Sequence, residues 1–135
     1  MITINDKIIS NRYKDIDISF RKNPSNNDIY ILTDIDAVKR SVKTLILTDF
    51  NERLFNPKLG SAVYFSLFEN FGPETSILLE KSIKDVISNY EPRAKIIKVD
   101  VKENIQSHAL IITVFFYVVN VEEIVTININ LERVR

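Results

Sequence analysis

The chain has 135 residues, 45% hydrophobic and 27% charged, with eighteen Lys and Arg against eighteen Asp and Glu. That length suits one domain, 1–135, burying roughly two thirds of its unfolded surface. The even charge balance gives neither nucleic acid nor an anionic membrane the concentrated positive surface that each requires, and with no cysteine there is no disulfide, thiolate nucleophile or cysteine-held metal.

The opening "MITINDKIIS" has acids and amides where a signal peptide needs a basic stretch and a long apolar core, so a cytoplasmic origin is expected. Residues 1–33 read as extended and irregular: "DIDISF" alternates as a short strand does, "RKNPSNND" is turn chemistry, and "IYIL" is a second short strand. The first long helix is expected over 34–48. Thr33 with Asp36 reads as a capping box, and Ile35, Val38, Val42, Leu45 and Ile46 share one face, with Lys39, Arg40 and Lys43 turned to solvent. "TDFNERLFNPKLGS" (48–61) is a loop. In "AVYFSLFENF" (62–71), Tyr64, Phe65, Phe68 and Phe71 suit a short helix packed into the core by its aromatics, or less simply a ligand pocket.

Gly72-Pro73-Glu74 opens the second long helix, whose stripe is Leu79, Ile83, Val86 and Tyr90. Three strands follow. "IIKVDVK" (96–102) and "IVTININLE" (124–132) alternate, whereas the eleven-residue run "ALIITVFFYVV" (109–119) does not, so a central strand covered on both faces is expected there. The same run is too short to cross a bilayer as a helix. The sum is an α+β fold: a small, mainly antiparallel sheet, made of a C-terminal three-stranded meander and short N-terminal strands, with two longer helices and one short one on one face. Its parts are an extended segment (1–33), a helical part (34–93) and the C-terminal strands (94–135).

Catalytic chemistry is poorly supplied. Two glycines, at 60 and 72, cannot build a phosphate loop, and the single His108 has no nucleophile or second histidine at a usable spacing. Glu52, Glu69, Glu74 and Glu91 are candidate acids for a glycosidase, which needs two of them roughly 5–9.5 Å apart, yet each is explained as a loop or cap residue. No cofactor or metal site is expected.

The corner "NYEPRAKIIKVD" raises a sharper question. Pro92 stops the helix, and Arg93 suits its negative end, but Glu91 is an anion where the dipole disfavours one. Either Arg93 or an outside donor must satisfy that carboxylate, so the corner is a plain stop or a contact site.

That corner, following a helix opened by "GPET", resembles the Glu-Pro-Arg signature of the phage baseplate wedge family often labelled gene-25-like lysozyme, with relatives in the type VI secretion baseplate. "DIDISFRKNPSNNDIYILTDIDAVKRSVKTLILT" and "ERLFNPKLGSAVYFSLFEN" resemble its first half in order and spacing. The family usually has glycine where Asn51 stands and often proline at Leu54; asparagine tolerates positive φ, so the turn is expected to survive.

The resemblance implies a non-enzymatic structural part of a virion's tail baseplate, assembled in the host cytoplasm, bound to larger baseplate wedge proteins and starting the tail sheath. It implies that Glu91, Pro92 and Arg93 contact the wedge core, with the donor for Glu91 on another chain. A terminal antiparallel strand offers unpaired backbone groups, so 124–132, with Val125, Ile127, Ile129 and Leu131, is the expected place for a sheath strand to add. The alternative, a peptidoglycan-cleaving lysozyme-type glycosidase, predicts paired carboxylates in a cleft.

Overall fold

Each amphipathic element carries one apolar face that must be buried against another. A computed structural model of the chain describes residues 13–119, 121 and 123–133. The stretch "MITINDKIIS", on which the expectation of no leader rests, lies outside them. The chain divides into two units, Met1–Ala37 and Val38–Arg135.

In the first unit β1 (Lys14–Ile16) and β2 (Ile31–Thr33) pair antiparallel, with Lys14 opposite Thr33 and Ile16 opposite Ile31. The chain bulges after Ile16, with Phe20 at φ 51°, and pairs again where Lys22 meets Ile29. Asp17 holds the bulge: its carboxylate accepts the Ser19 N–H at 3.1 Å and the Arg21 Nε–H at 2.6 Å. The Arg21 guanidinium lies 5.3 Å from the centre of the Tyr30 ring, a cation–π distance.

Helix α1 (Asp34–Leu47) starts directly after Thr33, the residue that marked its beginning. Val38, Val42, Leu45 and Ile46 are buried and Lys43 is exposed, so the spacing of the apolar residues did set the inner face. Helix α2 (Val63–Ser66) is a single turn, shorter than the aromatic segment suggested. Val63 and Ser66 are its buried residues, while Phe65 and Phe68 are each 67% exposed, so the aromatics do not enter the core. Helix α3 (Pro73–Tyr90) begins on an extended Gly72 with Pro73 in its first turn, and buries Leu79, Ile83, Val86 and Ile87. Burying side chains of this size stabilises by about 1.5–3 kcal/mol each.

Strands β3 (Ala94–Asn104), β4 (Ala109–Val118) and β5 (Ile124–Glu132) form an antiparallel meander in that order, so β4 is central and α3 packs along β3. β4 is not covered on both faces as expected. Leu110, Ile112, Val114, Phe116 and Val118 are buried, while Ile111 and Tyr117 stand 37% and 39% exposed on the other side. The alternation was hidden because this strand carries apolar side chains on both faces. Its outer row is flanked by polar partners instead: Thr113 lies between Asp100 and Asn128, and Phe115 between Lys98 and Thr126.

Candidate functional site: a braced corner and an open sheet edge

At the corner, the Glu91 N–H still donates to the Ile87 carbonyl at 2.8 Å, closing the last turn of α3. Pro92 cannot continue the ladder, and the chain turns so that the Ala94 N–H reaches the Glu91 carbonyl at 3.1 Å. The Arg93 carbonyl accepts the Val119 N–H at 2.8 Å, which ties the turn to the end of β4.

Glu91 is 3% exposed, and its donors belong to its own chain, contrary to the expectation of a donor elsewhere. Arg93 clamps the carboxylate with both ends of its guanidinium fork, Nε to Oε1 at 2.5 Å and Nη2 to Oε2 at 2.7 Å. The Ser41 hydroxyl of α1 donates to Oε2 as well. Burial alone would raise the Glu91 carboxyl; Arg93 and Ser41 together outweigh it and hold the group below its ordinary value. The outward members of the corner are Pro92, which is exposed, and Arg93, whose side chain is 33% exposed. Ser41 was missed from sequence. Its signal was a hydroxyl three residues after Val38 and four before Leu45, on the flank of a buried stripe where a polar group needs a partner.

The second feature is the free edge of the meander. Within an antiparallel ladder a residue's N–H and C=O point to the same side, and consecutive residues alternate. The Arg133 N–H donates to the His108 carbonyl at 3.3 Å, so in this register Leu131, Ile129, Ile127 and Val125 turn their backbone groups to β4. The Val119–Arg93 bond agrees from the opposite side, because it assigns the odd-numbered residues of β4 to β3 and the even-numbered ones to β5. Ile124, Thr126, Asn128, Asn130 and Glu132 therefore present their N–H and C=O groups to the open side, where no strand pairs among the described residues.

The four apolar residues named from sequence thus anchor the strand. Val125, Ile127 and Ile129 are buried on the inner face, and Leu131 is partly so. The opposite edge is guarded: β3 carries Lys95, Lys98 and Lys102 and a bulge between Ile96 and Lys98. β5 has no proline, no bulge and no charge before Glu132.

The candidate acids do not converge. Glu74 and Glu91 sit at opposite ends of α3, ~25 Å apart at the helical rise of about 1.5 Å per residue. Glu52 accepts the Asp49 N–H at 2.9 Å within the 48–61 loop, and burial, then the charge of Glu52, raises the Asp49 carboxyl. Asn51 takes φ 66° in that loop, so the turn forms without glycine. Glu69 and Glu103 border a pocket of about 30 Å³, the share of one water molecule. A larger open groove of about 390 Å³ runs beside α3, lined by Phe50, Lys58, Leu78, Lys81 and Tyr90, with Asp85 its one acid among the described residues. His108 is a turn residue at φ 48°.

Known proteins share this arrangement. The anti-feeding prophage baseplate structure contains a chain that matches at a TM-score of 0.70, with 22% identity over 82% of this chain and 89% of that one. A tail lysozyme, so named, from Geobacter sulfurreducens matches at 0.64, with 18% identity over 73% and 89%. The type VI secretion baseplate complex holds one at 0.55, with 15% identity over 72% and 93%. At these identities the likeness is one of fold. In sequence, the baseplate wedge protein gp25 of Enterobacteria phage T4 is 31% identical over 112 residues, 83% of this chain and 84% of its own length. The family model for baseplate wedge protein gp25 matches residues 33–122, from the start of α1 to the turn before β5, and the chain belongs to that family.

Proposed function

We propose that the chain is a non-enzymatic structural part of a contractile-tail baseplate wedge, bound to the larger wedge proteins at the corner and to the tail sheath protein at β5. At the corner, Pro92 and Arg93 meet the wedge core, while Glu91 lies beneath and fixes the direction of the Arg93 guanidinium. At the sheet, an incoming sheath strand pairs with the outward backbone groups of β5, held in place by Val125, Ile127, Ile129 and Leu131. The virion tail is its place of work, after assembly in the host cytoplasm.

The observation that carries this reading is the unequal treatment of the two sheet edges, β3 guarded by three lysines and a bulge, β5 by nothing before Glu132. Exposed apolar side chains support it too: Leu54 is 91% exposed and Phe55 fully so, in the range of surfaces made to be covered.

Two measurements test it. Co-purification with the adjacent wedge proteins is expected for the wild-type chain and lost for folded Arg93→Ala; equal recovery of both would leave Glu-Pro-Arg as a helix stop only. Hydrogen exchange on the isolated protein should show slow amides at Val125, Ile127, Ile129 and Leu131, alternating with fast ones at Thr126, Asn128 and Asn130. Protection along the whole strand would remove β5 as the receiving edge. The lysozyme alternative requires peptidoglycan turnover, and none is expected.

A further inference from the structure

A backbone edge accepts any extended chain, so selection must come from side chains next to it. The Arg133 guanidinium, directly after β5, lies 5.3 Å from the centre of the Phe68 ring. By alternation Arg133 is on the inner face with Val125, Ile127 and Ile129, so Phe68 lies beneath that face where β5 ends. Phe65 precedes it by one helical turn, with the Phe68 N–H donating to the Phe65 carbonyl at 3.1 Å. Both rings are 67% exposed, while the inner row of β5 above is closed, with Ile127 its most open buried member at 8%. The aromatics therefore do not complete the floor under β5; they are apolar surface left over beside it. On the outer face β5 presents Thr126, Asn128 and Asn130, a polar row.

We infer that Phe65 and Phe68 form a shelf that selects the strand added at β5: an extended partner segment of alternating character, its apolar side chains turned inward onto the two rings and its polar side chains outward beside Asn128 and Asn130. This inference rests on the strand-addition reading. It adds a determinant of specificity that the backbone edge alone cannot supply, because the pairing groups are the same for every sequence.

The test uses the full chain, purified sheath subunits of the same particle, and three variants whose folding is checked by thermal unfolding. Asn128→Pro removes a donor on the open side and leaves the β4 ladder intact, so it is expected to abolish sheath binding. Phe65→Ser with Phe68→Ser keeps the edge and removes the shelf; affinity should fall roughly 10- to 30-fold, as for truncation of two aromatic anchors. Phe65→Leu with Phe68→Leu keeps the surface apolar and should restore most of the loss. If Asn128→Pro abolishes binding while the serine pair binds as wild type, the edge stands and the shelf is refuted. If the serine pair and the leucine pair lose affinity equally, apolar cover is not what the rings provide, and the inference fails. If Asn128→Pro binds normally, strand addition at β5 itself is wrong, whatever the aromatics do.

Discussion

Two carboxylate–arginine pairs in this chain look alike on paper and do different work. Asp17 with Arg21 and Glu91 with Arg93 each join a nearly buried acid, 4% and 3% exposed, to an arginine a few residues on. In both, the acid is held below its ordinary value. Asp17 draws its donors from the next four residues, the Ser19 side chain and N–H and the Arg21 guanidinium, and closes one bulge. Glu91 draws on Arg93 and also on Ser41, fifty residues away on another helix. The first pair shapes a piece of chain; the second joins α1 to the end of α3 and the start of β3. A short-range pair can be lost with local damage, whereas a pair that spans elements should couple to the stability of all of them.

Glu91→Ala is the severest way to break the contrast. It leaves a partly buried guanidinium and the Ser41 hydroxyl without their acceptor, and should cost ~2–3 kcal/mol, less than a fully buried pair because Arg93 is one third exposed. Urea denaturation checks this, with the loss read as a lower midpoint at unchanged slope. Ser41→Ala comes next, at about 1–2 kcal/mol for one hydrogen bond to a charged group. The double variant should cost less than the sum, because both changes remove the same bond; strict additivity would show that Ser41 stabilises α1 by some other route.

The smallest effect is expected at Asp17. Asp17→Asn should leave the global transition at neutral pH nearly unmoved while speeding amide exchange at Ser19. A shift of that transition as large as the one for Glu91→Ala would erase the distinction between the pairs. The acid side sharpens it. The Asp17 carboxyl is lowered from 3.8 to about 2 by hydrogen bonds from Ser19 and Arg21. A depressed folded-state value means that the ionised pair stabilises above the unfolded value and is lost as pH falls from about 4 towards 2. The Ser19 amide shift should therefore titrate with a midpoint near 2 in wild type, and lose that step in Asp17→Asn. A midpoint at the ordinary 3.8 would mean that the staple is open in solution. Glu91 has the same sign, so lowering the pH below its ordinary carboxylate range should weaken the brace from Ser41 and Arg93.

Sequence by itself determined the elements. The spacing of Val38, Val42, Leu45 and Ile46, the Gly72-Pro73 start, the Pro92 stop and the alternation in 124–132 each carry their cause within a few residues, and α1, α3 and β5 form where those signals lie. It also carried the family, because three blocks keep their order. It did not decide the length of α2, since aromatic spacing is the same whether the rings are buried or, as here, exposed. Nor did it decide how β4 is covered, because apolar residues on both faces erase the period that distinguishes them.

Tertiary structure alone decided the rest. Ser41 reaches Glu91 only because α1 returns beside the end of α3, and no local pattern records a contact across fifty residues. Which backbone groups of β5 are open depends on the register with β4, a relation between two strands, so the apolar residues legible in the sequence proved to be the anchors and their neighbours the open groups. Local periodicity fixes what each segment becomes; which donor meets which acceptor, and which edge stays open, is set when the segments pack.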